Sequence, residues 1–357
     1  MFVALLAVVG VGCQAQSQAA GYRDAALPAP ADVDLSGLEP PAREVELTYA
    51  VTVGGLSPDA EQVVVVWVPL PVDNGVQSMR SWRLLEDHPA EVVEDAEFGN
   101  RFVRVDLTEA VGAAESGEVA LTFEFEVERR AYSAWTPAGG HEARELTAAD
   151  LAPFLEPDRL VPTDGFIAQE ARQVVGDAEA PFDKASRLYE HVVETMRYDK
   201  SGEGWGRGDA VYACDARTGN CTDFHSLFMA EARSVGVPAE FVIGVPLPPD
   251  AREGEIPGYH CWAEFYLDGR GWVPVDASEA YKQPERRRFF FGSLDAHRVE
   301  FTTGRDLDLP GASVQSLNYV IYPHVEVDGA LHEDVRTAFR FKEGPGETEM
   351  QEAAAAL

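Results

Sequence analysis

Between Glu44 and Glu128, apolar residues fall at every second position in one segment after another. In "EVELTYAVTV", Val45, Leu47, Tyr49 and Val51 share one face. "RFVRVDL" and "VALTFEFEVE" alternate in the same way, and "QVVVVWVPLP" is an apolar run closed by prolines. A period of two belongs to a pleated strand, whose successive side chains point to opposite sides. Turns bearing Gly or Asp separate the runs, and no helical pattern intervenes. Short consecutive strands with one apolar face must bury that face against a second layer. Residues 43–132 are therefore expected to form an antiparallel β-sandwich.

The period then changes. "DGFIAQEARQVV" carries Asp164 as a helix N-cap and is stopped by Gly176. In "PFDKASRLYEHVVETM", Ala185, Leu188, Val192 and Met196 recur at helical spacing. Strands followed by helices predict an α+β chain. "NYVIYPHVEV" and "RTAFRFKE" are expected to be closing strands, and residues 343–357 a disordered tail.

The 357 residues suffice for two cores. With 61 acids against 29 Lys and Arg, the formal net charge is -32. Such a surface repels nucleic acid and anionic lipid. Residues 1–13 read as an export signal. An apolar run from Phe2 to Gly12, too short to span a bilayer, ends at Cys13, a candidate for lipidation. Residues 14–42, rich in Ala, Pro and Asp, read as a tether. A periplasmic or cell-surface location is expected, with any membrane attachment made through Cys13. The body holds Cys214, Cys221 and Cys261, an odd number, so at least one stays outside any intramolecular disulfide.

Cys221 has the most informative surroundings. In "GNCTDFHSLFMAEARSVGVP", Asn220 is an N-cap, Asp223 stands where a capping acid belongs, and Gly236 with Pro238 ends the helix. A thiol in the first turn of a buried helix feels the positive end of the helix dipole, which favours the thiolate. A nucleophile needs a base, and the base needs an orienting group. "GYHCWAEFYLDGRGWVPVDASEA" offers both. His260 opens a strand in which His260, Trp262, Glu264 and Tyr266 share one face and Cys261, Ala263, Phe265 and Leu267 the other. Asp268-Gly269 turns the chain, and the returning "WVPVD" ends at Asp276. A two-residue turn would put Asp276 opposite Cys261, on the wrong face. A three-residue, bulged connection puts it on the face of His260.

These three segments, in this order, resemble the transglutaminase-like superfamily, and more closely its exported bacterial branch. The resemblance centres on residues 180–282 within an expected catalytic domain of 133–342. It implies a papain-like fold, a helix packed on an antiparallel sheet, with Cys221 as nucleophile, His260 as base and acid, and Asp276 as its orienter. It also implies acyl transfer on amide bonds of a peptide or protein substrate through a thioester. Hydrolysis is the favoured outcome, protein crosslinking the alternative, and a non-catalytic surface scaffold the rival. The backbone N–H of Cys221 is one expected oxyanion donor. Trp205 and Tyr212, in the loop before Cys221, are candidates for a second donor or a lid. His225 is a rival base, read as structural. A zinc reading of Cys214, Cys221, His225 and either Cys261 or His260 lacks any C-x-x-C spacing, and no EF-hand loop is present. No cofactor and no metal are therefore expected, and the oligomeric state is not readable.

Overall fold

The computed structural model describes residues 38, 41–57, 61–113, 116–136 and 146–344. The expected leader with Cys13, the tether through residue 40 apart from Leu38, and the tail from residue 345 lie outside them. Along the chain the main elements begin with β1 (Ala42–Val53), β2 (Val64–Pro69), β3 (Gln77–Leu84), β4 (Ala90–Glu94), β5 (Arg101–Asp106) and β6 (Val119–Arg130). Helices α1 (Gly165–Val175), α2 (Pro181–Thr195), α3 (Ala210–Ala216) and α4 (Cys221–Ser234) follow. Then come β7 (Ala239–Pro246), β8 (Glu253–Ile256), β9 (His260–Leu267), β10 (Gly271–Val275), α5 (Ala277–Lys282), β11 (Arg298–Thr303), β12 (His324–Val327), β13 (Ala330–Leu331) and β14 (Val335–Glu343).

Two five-stranded antiparallel sheets, β8-β14-β1-β6-β3 and β13-β12-β2-β5-β4, form the sandwich. The alternation of β1 does what a period of two requires: Val45, Leu47, Tyr49, Val51 and Val53 are buried. Pairing sets Tyr49 opposite Phe123 on one side and Phe339 on the other, and the Tyr49 ring stacks on Phe339 at 3.8 Å. Each such fully buried side chain contributes about 1.5–3 kcal/mol. The sandwich is not the contiguous 43–132 segment that the pattern suggested. β12 pairs with β2, β13 with β12 and β14 with β1, so residues 324–343 serve the sandwich rather than a catalytic unit ending at 342. The reason is an edge: β1 without β14 would leave its backbone groups unpaired.

A four-stranded antiparallel sheet, β10-β9-β7-β11, carries the second unit. Helix α4 packs against β9 and β7, with α1, α2, α3 and α5 around it. Every residue of α4 from Cys221 to Arg233 is buried. Sheet on one side and helices on the other leave it no solvent face, so Asp223, His225, Glu231 and Arg233 must find partners inside. Asp164 holds the N-cap position of α1 but makes no side-chain capping bond.

Strands β9 and β10 are joined by Asp268, Gly269 and Arg270, with Leu267 paired to Gly271. This is the three-residue connection that the face argument required. Gly269 adopts φ 73°, a left-handed value that suits glycine. On its other side β9 pairs with β7, where Gly244 stands opposite His260. A Cβ on Gly244 would lie 1.9 Å from the Val299 carbonyl oxygen of β11. Gly244→Ala should therefore force β7 and β11 apart and cost roughly 3 kcal/mol. Thermal melting checks this, and an unchanged Tm would contradict the close approach.

Candidate active site

The start of α4 is held by reciprocal caps. The Asn220 side-chain oxygen accepts the Thr222 N–H at 3.0 Å, and the Asp223 carboxylate accepts the Asn220 N–H at 2.9 Å. Asp223 also accepts the N–H groups of Gly206 at 2.7 Å and Gly208 at 3.1 Å, tying the glycine-rich loop to the helix. Burial pushes its carboxyl up to about 6, against those backbone donors. Cys221 is the first helical residue, and it is 2% exposed.

His260, the last paired residue of β9, is hydrogen-bonded to the Cys221 side chain. Its Nε2 lies 2.7 Å from Asp276 Oδ2, which leaves Nδ1 for the sulfur. Asp276 follows β10 and caps α5. Its Oδ1 accepts the Glu279 N–H at 3.0 Å and the Ser278 hydroxyl at 3.1 Å. Its Oδ2 also accepts Arg298 Nη1 at 2.9 Å. Arg298, buried on β11, reaches Asp295 at 3.3 Å and lies over the Trp262 ring at 5.1 Å. Burial alone would depress the His260 imidazolium, but the charge and hydrogen bond of Asp276, with Cys221, raise it to about 10. Burial opposes ionisation of Asp276 as well; His260 and Arg298 outweigh it and hold the carboxyl well below the usual range.

The Cys221 thiol lies well below its ordinary value. A hydrogen bond from Cys261 contributes most; burial works against it, and His260 adds a second hydrogen bond and its charge. Cys261 itself is pushed well above the thiol range by burial, so it stays a donor. Strand alternation placed Cys261 away from His260, yet both reach the sulfur. Cys261→Ala should raise the pH midpoint for alkylation of Cys221, as read from labelling rates between pH 4 and 9. An unmoved midpoint would remove Cys261 from the account.

His225, the rival base, is fully buried with its Nε2 accepting the Ala277 N–H at 3.1 Å. Burial lowers it to about 4. It links α4 to the first residue of α5. Trp205 lies in the loop before Cys221, whereas Tyr212, expected in that loop, sits on helix α3, and the contacts seen for each are local. Lys200 sits 6.0 Å over the Trp205 ring, and Tyr212 packs where a Cβ on Gly204 would stand. A different aromatic residue touches the helix start: the Tyr259 hydroxyl accepts Asn220 Nδ2 at 2.9 Å and bonds Tyr319, whose hydroxyl donates to the Gly206 carbonyl at 2.9 Å. Sequence reasoning missed Arg298, Tyr259 and Tyr319. The adjacency of Tyr259 to His260 was the one available signal. Glu253–Ile256, in the stretch before His260, pairs with β14 as the edge strand β8 of the sandwich. Cys214, Cys221 and Cys261 form no disulfide; Cys214 hydrogen-bonds Glu170 at 3.1 Å.

Residues 168–277 match the family model described as the transglutaminase-like superfamily. An uncharacterized protein of Haemophilus influenzae is 27% identical over 304 residues, covering 74% of this chain and 80% of that one. A crystal structure of a provisionally named cysteine protease from Cytophaga hutchinsonii superposes with a TM-score of 0.54 at 18% identity, over 85% of this chain and 98% of that chain. The periplasmic domain of TgpA from Pseudomonas aeruginosa has a TM-score of 0.35 at 17% identity, over 68% of this chain and 90% of that one. Among the described residues no helix is long and apolar enough to cross a membrane.

Proposed function

We propose, from the premise that residues 168–277 are a transglutaminase-like core, that this chain is a cysteine-dependent acyl-transfer enzyme that hydrolyses amide bonds of peptides or proteins. The observation that carries the reading is the unbroken chain from Cys221 through His260 and Asp276 to Arg298. Cys221 as thiolate attacks the amide carbonyl carbon and the π electrons move to oxygen. The backbone N–H of Cys221, one of the first-turn donors that a helix leaves without an internal partner, faces that oxyanion. His260, as imidazolium, gives its proton to the amine as the C–N bond breaks, and a thioester remains. Neutral His260 then takes a proton from water, the resulting hydroxide attacks the thioester, and the Cys221 thiolate leaves. Asp276 keeps the ring oriented and its charge balanced throughout.

Export supports a substrate outside the cytoplasm, and rests on the apolar run before Cys13. Incubating wild type and Cys221→Ala with a peptide library, with and without a primary amine, tests the proposal. Cleaved products that need Cys221 support hydrolysis. Amine adducts without cleavage would replace it by crosslinking, and no turnover by either protein would favour a binding scaffold.

A further inference from the structure

A second cluster of ionisable side chains lies along α4, ten residues beyond Cys221. Glu231 is 0% exposed, and neither carboxylate oxygen has a hydrogen-bond partner. Opposite it, His191 Nε2 on α2 also lacks one. That nitrogen stands 3.5 Å from Glu231 Oε1 and 3.5 Å from Glu170 Oε1 on α1. One donor atom from each of the three residues lies within 4.8 Å of the others. A charge-assisted N–H···O bond would be about 2.7–2.9 Å. The ring lies between two carboxylates, and its Nε2 is farther from each than a well-formed bond would hold it.

We propose that Glu170, His191 and Glu231 bind one divalent transition-metal cation, with zinc favoured, and that it clamps α1 and α2 to the far half of α4. Donors around a tetrahedral ion at about 2.0–2.1 Å stand about 3.3–3.4 Å apart, close to the spacing of His191 from each carboxylate. One imidazole and two carboxylates suit zinc better than calcium or magnesium, which take all-oxygen shells. The ion would also satisfy Glu231, whose buried charge is otherwise costly. Arg217 Nη2 holds both oxygens of Glu170 at 2.5 and 2.6 Å, and Cys214 Sγ lies 3.1 Å from Glu170 Oε2. These contacts aim the Glu170 carboxylate, the role that outer groups play around metal ligands. The ligands come from three helices at widely spaced positions, so no short motif announces them.

The test is made on the full chain with Cys221→Ala, so that metal held by the nucleophile does not count. After chelation and dialysis, Co²⁺ and then Zn²⁺ are titrated. One equivalent of Co²⁺ should give visible absorption of tetrahedral strength, which Zn²⁺ displaces. Zinc at a hundredfold excess over its Kd should raise Tm by roughly 5 °C. Glu231→Gln preserves the shape of the side chain, and His191→Gln removes the nitrogen donor. Each should weaken binding by at least about tenfold and at least halve the Tm shift at that same zinc concentration. No binding, or binding equal in the parent and both variants, overturns the site. Because the nucleophile is absent throughout, neither result bears on the catalytic reading.

Discussion

Cys221→Ala should lower kcat/KM for a peptide amide by roughly 10⁴–10⁶, and His260→Ala should cost about as much. The double variant should be hardly worse than either single one, because sulfur and imidazole act as one unit. Thiol labelling separates the two roles. In wild type the thiolate exists once pH exceeds the lowered value of Cys221, and His260 keeps its proton until about 10. Labelling should therefore be nearly flat from mildly acidic pH up to that limit. In His260→Ala the anion loses the adjacent charge, and its midpoint moves up toward an ordinary thiol near about 8.5. At pH 6 the labelling rate should drop by roughly 100-fold, while at pH 9 the two proteins converge. Equal labelling at pH 6 would mean that the imidazole does not ionise the sulfur.

The features legible in the sequence were those set by near neighbours in the chain. The caps of α4 are encoded within four residues, Asn220 to Asp223, and the β9–β10 connection within three, so local rules reached them. Parity placed Asp276 on the face of His260; the observed ladder ends at Ala263 opposite Val275, and one further step in that register sets Asp276 against Trp262, a diagonal step from His260. Parity failed for Cys261 because His260 is the last paired residue on β9. At the end of a ladder the pleat no longer divides two sides. Arg298 was illegible for another reason. Its place follows from β11 pairing with β7, where Arg298 meets Pro246, and nothing within "SLDAHR" specifies that partner. The sandwich boundary failed likewise: β14 reads as a strand, but only the free edge of β1 decides where it goes.

Asp276→Asn should be the second severe substitution, through both activity and stability. Asp276 is 0% exposed and receives four donors: His260, Arg298, the Ser278 hydroxyl and the Glu279 N–H. An asparagine can keep its oxygen on the cap of α5, but its NH₂ then faces both His260 and Arg298. Against His260 the amide donates to Nε2, which puts the ring proton on Nδ1 and leaves no lone pair for the Cys221 proton. Loss of about 10³–10⁴ in kcat/KM is expected. Against Arg298 two donors meet, and a buried guanidinium loses one of its two carboxylates. Breaking such a pair costs about 3–5 kcal/mol. The contribution has a definite sign with pH. The Asp276 carboxyl is held below its unfolded value, so its stabilisation is present at neutral pH and is lost as pH falls through the unfolded value toward the lowered one. The wild-type excess over Asp276→Asn should therefore shrink on acidification. Arg298→Met in the Asp276→Asn background removes the stranded cation at similar volume. Denaturant melts should show that double variant recovering a large part of the lost stability, with activity still absent. Recovery of both would demote Asp276 to scaffolding, and recovery of neither would mean that Arg298 is not its principal partner.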